Sequence, residues 1–417
     1  MVSILSFTRQ AFLALALALL VNGLVVPETS SEDLVARDNK FVKVDFQVAR
    51  GPNRESLNLT SSNKPHFLIH KNGKRAVGQA EVTLINEKTF YATNLLIGSN
   101  KQAVTTLLDT GSSDLWVVAK GATCQDVPDG ETSSYCYEYG VYDKTTSTTF
   151  KNLGTSFSIQ YADGTQSTGT WAKDDVSFAG GVGVTQLQLG DVTTTSSGFG
   201  VLGIGYTSNE STGTTYDNLP VVLKKQGKIA TTAYSLYLAQ PSDPSGTIIF
   251  GGIDNAKYSG TLVPLPVQSP YELSINLKSI TVGGKTTTAN INPVLDSGTT
   301  LSYLPQSLVK AVATALKGTA DSSVGYIIDC NQPTNQYITY TFNGVTIKVP
   351  YSELPIELYY TNGDKYPGCA LGILSTTSTP ILGDNFLRSA YVAYNLDAKV
   401  ISIAQVKYTT TENIVPF

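Results

Sequence analysis

The chain has 417 residues, a formal net charge of −4 and only 15% charged residues, and it carries 36 glycines and 23 tyrosines. That length exceeds one ordinary core and suits two. Abundant glycine, serine, threonine and tyrosine favour strands and turns over long helices, and no basic patch is present for nucleic acid.

The first element is a targeting segment, residues 1–23. Arg9 precedes an apolar run from Ala11 to Val21, too short to span a bilayer and suited to the apolar core of a secretion signal. Val21 and Gly23 are small enough for the pocket positions before a cut after Gly23. No later stretch is long enough to cross a membrane, and the C-terminal QVKYTTTENIVPF lacks the apolar tail of a lipid-anchor signal. A secreted, extracellular product with no membrane anchor is expected.

Residues 24–75 are rich in charge, hold both histidines, His66 and His70, and end in Lys74-Arg75. A basic pair at a change in composition, downstream of a signal, reads as a cleavage site for a dibasic-specific processing protease. Residues 24–75 are then a propeptide and Ala76 the mature N-terminus. The product, 76–417, keeps 19 Lys/Arg against 27 Asp/Glu, a formal charge of −8, and no histidine. Without histidine it cannot use a Ser-His-Asp or Cys-His arrangement or the usual His-containing catalytic zinc site. No metal and no cofactor are expected.

Past Ala76 the pattern is mostly β. Strands are predicted in AEVTLIN (80–86), SFSIQYA (156–162), GTIIFGG (246–252), YELSINLKSITV (271–282), YITYTF (337–342) and VISIAQVKY (400–408), which mix alternation with β-branched or aromatic residues. Two short helices are predicted, near 216–227 and over 305–318. The second carries Leu308, Val312 and Ala315 or Leu316 on one face, with Gly318 as its C-cap. The four cysteines form two spaced pairs, Cys124/Cys136 and Cys330/Cys369. An even count in a secreted chain suggests two disulfides. Three pairings are possible, the sequential local one being the simplest.

The organising feature is a weak internal duplication. An apolar run leads into Asp109-Thr110-Gly111, and VLGIG follows, its central glycine 94 residues after Asp109. The same order recurs at Asp296-Ser297-Gly298 and ILGDN, with a spacing of 87. Two similar lobes, 76–265 and 266–417, divided in the proline-spaced TLVPLPVQSP, would each bring one aspartate to a shared cleft. Thr110 and Ser297 can bond the opposite lobe, and Ser112 and Thr299 can donate to the outer oxygen of each aspartate. Two carboxyls so close cannot both ionise readily and share one proton. One can accept a proton from water while the other protonates a carbonyl, which is peptide hydrolysis without covalent attachment or metal.

With these motifs the chain resembles the pepsin-type aspartic proteases, and within them the secreted candidapepsins of yeasts. DTGSSDLWV, DSGTT, IIFGGIDNAKYSG and ILGDNFLRSAYVAYNLD carry the resemblance, which extends over the full chain. It implies an all-β, bilobal fold with a few short helices and a cleft between the lobes. It implies a secreted, monomeric endopeptidase that acts in acid on extended peptides or unfolded proteins, with broad preference for apolar or aromatic side chains beside the cut. Pepstatin-type inhibitors should block it.

By the same resemblance Asp109 and Asp296 are the catalytic dyad, and IQYADGT is a hairpin flap with Tyr161 near its tip, held by the Trp116 indole. Asp163 and Gly164 bond substrate backbone, and Gly111 and Gly298 accept from substrate amides. Thr300 and Tyr303 line the cleft, and Leu107 and Val201 form an apolar side-chain pocket. Ala162 departs from the family's usual glycine and would be strained if that position needs a positive φ. The resemblance also supports Cys124–Cys136 and Cys330–Cys369 as the disulfides. Sequons for N-glycosylation occur at Asn58 and Asn209. A non-catalytic binding module of the same fold would not need both aspartates with their hydroxyl neighbours, and an adhesive wall protein would leave the paired motifs unexplained.

Overall fold

The computed structural model describes residues 41–50, 66–69, 89–127, 132–178, 181–239, 245–360 and 365–417. The targeting segment, Asn58, Lys74-Arg75, Ala76 and the strand expected over 80–86 lie outside the described residues. Among the described residues the chain is a bilobal, mostly β protein with three short α-helices, α1 (Leu219–Lys225), α2 (Gln306–Ala315) and α3 (Asp384–Leu387). Among the described residues no helix is long and apolar enough to cross a membrane.

A sheet of thirteen strands links the two halves. At one edge the proline-spaced segment forms the strand Tyr258–Pro266, paired with Val400–Val406. At the other lies the hairpin of Lys151–Gln160 and Gln166–Phe178. Val42–Arg50, from the region before Lys74-Arg75, sits inside this sheet, antiparallel to Ser245–Phe250 on one side and Thr89–Ile97 on the other. His66–Ile69 adds a parallel strand to Pro355–Tyr360 in a smaller sheet. Alternation sets the buried face of the C-terminal strands: Tyr337–Thr341 buries Ile338 and Tyr340, and its partner Thr346–Pro350 buries Ile347 and Val349.

Two local expectations shift. The run from Tyr271 becomes a strand only at Leu277–Val282; upstream, Ser274 makes an isolated antiparallel bridge to Val294 and no continuous ladder. In α2, Leu308, Val309, Val312, Ala313 and Leu316 are buried and Ala315 is half-buried. Its left-handed terminal residue is Lys317, with φ 56°, and not Gly318. The Gly318 N–H closes the helix end on the Ala313 carbonyl at 2.7 Å. A Cβ there would come within 3.1 Å of Ile328, so the glycine answers to packing rather than to backbone. The single turn of α3 has too few residues to show a helical period.

Each aspartate sits at the end of a strand in one repeated pattern. Gln102–Asp109 runs parallel to Gly200–Gly203, and Leu115–Cys124 returns antiparallel to the same strand. In the second half, Val294–Leu295 runs parallel to Ile381–Leu382, and Ser302–Leu304 returns antiparallel to it. The apolar-Gly sequences are thus the middle strands of two equivalent three-strand arrangements. Gly203 is flat against Ser113 and Asp114, where a Cβ would meet backbone at 2.5 Å. Gly383 is equally tight against Thr299 and Leu301.

Candidate active site

The two aspartate turns meet face to face. Asp109 is 5% exposed and Asp296 8%. A Cβ built on Gly111 would lie 2.6 Å from the Asp296 carboxyl, and one on Gly298 would lie 2.4 Å from Asp109 Oδ1. Each glycine therefore leaves the space that the opposite carboxyl fills.

Hydrogen bonding around the pair is nearly two-fold symmetric. The Gly111 N–H donates to Asp109 Oδ1 at 2.8 Å, and the Ser112 hydroxyl to Oδ2 at 2.5 Å. The Gly298 N–H donates to Asp296 Oδ1 at 2.8 Å, and the Thr299 hydroxyl to Oδ2 at 2.5 Å. Beneath them Thr110 and Ser297 cross over. Thr110 Oγ1 donates to the Leu295 carbonyl at 2.8 Å and accepts from the Ser297 N–H at 2.9 Å. Ser297 Oγ donates to the Leu108 carbonyl at 2.8 Å and accepts from the Thr110 N–H at 3.2 Å. This buried lattice ties the lobes at the floor of the cleft. Burial first, then the facing Asp296, pushes the Asp109 carboxyl well above the usual carboxylate range, against the pull of its Ser112 and Gly111 donors.

The hairpin over the aspartates turns at Tyr161–Thr165. The Gly164 N–H donates to the Tyr161 carbonyl at 3.0 Å, and the Tyr161 N–H to the Thr165 carbonyl at 2.9 Å. Gly164 has φ 88°, the left-handed position of a three-residue hairpin loop. Ala162 is exposed and is not among the residues with positive φ, so its methyl imposes no backbone strain. Asp163 Oδ1 accepts from the Thr165 N–H and hydroxyl, at 2.9 and 2.7 Å, and stiffens the turn. The Trp116 indole, wholly buried, donates to Tyr161 Oη at 2.8 Å.

Leu107 and Val201 are register partners in adjoining strands and are buried in an apolar cluster with Trp116, Phe157 and Trp171, against which Tyr161 packs. Tyr303 stands opposite Ile381 and packs half-buried on the cluster around Leu301. Burial and then the Asp163 carboxylate raise its hydroxyl. Thr300 is half-buried and its carbonyl accepts from the Asn385 N–H at 3.3 Å. The disulfides are Cys124–Cys136 and Cys330–Cys369, with Cα atoms 5.7 and 5.1 Å apart. Asn209 is half-buried, and its side-chain amide donates to the Gly111 carbonyl at 3.2 Å.

Several groups around the site went unread in the sequence. Asp114, fully buried, accepts from Tyr216 Oη at 2.7 Å and from the Ser211 N–H at 2.8 Å. Its signal was available, since an acid directly precedes the apolar run LWVV, only five residues past Asp109. Half-buried Glu210 accepts from the Tyr216 N–H at 2.7 Å, and burial pushes its carboxyl to about 8. Asp384, 1% exposed beside the dyad, is also held well above its usual range by burial. Nothing local in the sequence marks these last two as buried.

Residues 90–406 match the family described as eukaryotic aspartyl protease. Secreted aspartic protease 8 of Candida albicans is 46% identical over 422 residues, covering 99% of this chain and 99% of its own length. Candidapepsin-1 of Candida albicans is 44% identical over 413 residues, covering 98% and 99%. Secreted aspartic protease 3 of the same organism is 43% identical over 412 residues, again covering 98% and 99%.

Proposed function

This chain belongs to the eukaryotic aspartyl protease family and is an aspartic-type endopeptidase homologous to the candidapepsins, and from that premise we propose the parts its own residues play. It is a secreted enzyme that hydrolyses peptide bonds through an aspartate dyad. Asp109 and Asp296 are that dyad. The observation carrying this assignment is the pair of turns in which each glycine makes room for the opposite carboxyl while each carboxyl receives one amide and one hydroxyl donor.

The chemistry follows from the shared proton, which belongs to the pair rather than to one residue. The ionised carboxylate takes a proton from a water as its oxygen attacks the scissile carbonyl. The protonated carboxyl donates to the carbonyl oxygen, giving a tetrahedral diol. The remaining carboxyl proton passes to the nitrogen while a diol hydroxyl gives its proton to the other carboxylate, so the C–N bond breaks, the acid and amine are freed and the pair again holds one proton. Thr110 and Ser297 position the turns, and Ser112 and Thr299 stabilise the ionised form. An extended substrate lies under the Tyr161–Thr165 hairpin, which bonds its backbone through Asp163 and Gly164. Gly111 and Gly298 accept from its amides. Thr300, Tyr303 and the apolar side around Leu107 and Val201 favour apolar or aromatic residues beside the cut, in acid. Pepstatin-type inhibitors occupy the same cleft.

The enzyme is made as a precursor with a signal segment, 1–23, and a propeptide, 24–75, and a dibasic-specific protease releases a monomeric product beginning at Ala76. Support for a propeptide that holds the precursor together comes from Val42–Arg50 within the central sheet and from Lys43, whose ammonium pairs with Glu412 at 2.7 Å and Asp45 at 3.1 Å. N-terminal sequencing of the secreted product tests the cut.

The dyad is tested by Asp109→Asn and Asp296→Asn. Each is expected to abolish hydrolysis of a denatured protein substrate in acid while leaving the circular dichroism spectrum native. Clear turnover by either purified variant would overturn the assignment.

A further inference from the structure

We propose that Asn209 is a positioning residue for the first aspartate turn, holding the Gly111 carbonyl through its side-chain amide, and is not a glycan acceptor in the active enzyme. The inference rests on the assignment of Asp109 to the dyad.

Gly111 is the residue that most needs an external hold. It can carry no side chain, because a Cβ would strike Asp296. Glycine without restraint is also the most mobile residue in a chain. Its N–H is fixed on Asp109 Oδ1, and its carbonyl accepts from Asn209 Nδ2 at 3.2 Å. A carbonyl can only accept, so it orients the asparagine with its NH2 toward the turn. Both peptide units of Gly111 are thereby set. The second of them leads directly into Ser112, whose hydroxyl reaches Asp109 Oδ2 at 2.5 Å.

Asn209 is itself held in place from both sides. Before it, the Tyr206 carbonyl accepts from Ser113 Oγ at 2.6 Å and from the Asn209 N–H at 2.9 Å. After it, the Ser211 N–H and Tyr216 Oη both donate to Asp114. The anchors, Ser113 and Asp114, are in the same turn as Gly111. The segment 206–216 is thus strapped over residues 111–114 with Asn209 between its fastenings. In the second half, the asparagine after the apolar-Gly sequence is committed elsewhere: Asn385 Nδ2 donates to Gly372 and its Oδ1 accepts from Ser302. A glycan on Asn209 Nδ2 would add bulk at the atom that faces the turn backbone.

Loss of the amide frees the Gly111–Ser112 peptide and loosens the Ser112 donation to Asp109. That donation favours the ionised carboxylate, so weakening it makes the pair a weaker acid and moves the acid limb of the kcat/KM profile to higher pH.

The experiment uses the secreted enzyme with Asn209→Ala and Asn209→Gln, alongside Asp109→Asn. For Asn209→Ala, kcat should fall roughly three- to tenfold, the worth of one neutral hydrogen bond, with a smaller change in KM. The acid limb should shift upward. Asn209→Gln, which also lacks the sequon but keeps an amide donor, should recover part of the loss. Mass spectrometry of the wild-type peptide spanning Asn209 should find it unglycosylated. Wild-type kcat and pH profile in Asn209→Ala, equal losses in both variants without a pH shift, or a glycan on Asn209 of active enzyme would each overturn the proposal. Should the alanine variant fail to fold, the glutamine variant's pH profile and the wild-type peptide mass still decide. Turnover by Asp109→Asn would instead overturn the dyad assignment, whereas an inactive Asp109→Asn beside a wild-type Asn209→Ala would overturn the positioning role alone.

Discussion

Glycine at 111 and 298 is demanded by the carboxyl across the cleft and not by its own backbone. Neither residue has a positive φ, yet a methyl on Gly298 would lie 2.4 Å from Asp109 Oδ1. The clash must move a carboxyl that is clamped by its amide and hydroxyl donors. Gly298→Ala is therefore expected to keep the fold and lower kcat roughly a hundredfold, the order of loss that follows a misplacement of about 1 Å at a reacting centre. Kinetics on purified variant with a native circular dichroism spectrum check this, and kcat within about threefold of wild type would contradict the close meeting of the turns.

The hairpin over the cleft separates two neighbouring positions that look alike in sequence. Gly164 occupies the left-handed region at φ 88°, and Ala162 does not. Gly164→Ala should cost about 1–2 kcal/mol at the turn and reduce kcat/KM several-fold. Ala162→Gly has no strain to relieve. Its extra freedom in the unfolded chain should destabilise the turn by about 0.5–1 kcal/mol or less and leave kcat/KM within about twofold. Measuring kcat/KM for the two variants side by side tests the contrast. An equal loss in both would mean that the turn changes conformation when substrate binds.

Across the molecule, acids gathered around the cleft hold their protons tightly. Burial raises Asp109, Asp114 and Asp384, and it pushes Glu210 to about 8 from an ordinary 4.5. A carboxyl whose folded value is raised binds more protons folded than unfolded, so stability falls as pH rises. For Glu210 the contribution is intact below about 4.5 and is lost progressively as pH climbs to about 8. The melting temperature should therefore be highest in acid and drop toward neutrality. Glu210→Gln should flatten part of that drop, raising Tm near pH 7 by several degrees relative to wild type with little change near pH 4. Thermal melts across pH measure this directly, and parallel curves for the two proteins would show that Glu210 ionises freely. The charge of −8 on residues 76–417 acts in the same direction, since protonation in acid reduces self-repulsion.

Patterns that repeat over a few residues were legible without coordinates. Leu308 and Val312 marked the buried face of α2, and alternation marked Tyr337–Thr341, because a helix or strand writes its own period into the chain. The two Asp-Thr/Ser-Gly turns with their trailing apolar-Gly sequences were legible for a different reason: the same local solution was written twice. What stayed hidden depends on segments that meet only after folding. Ser211 and Tyr216 reach Asp114 across 97 and 102 residues, and Asn209 reaches Gly111 across 98. Lys317 takes the left-handed place, and Gly318 beside it is packed against Ile328, which lies ten residues further along the chain. Val42–Arg50 finds its slot only between strands that begin at residues 89 and 245. A residue's type fixes which bonds and charges it can offer. Which of them it makes, and whether its proton stays on, is set by the neighbours and the burial that the closed fold supplies.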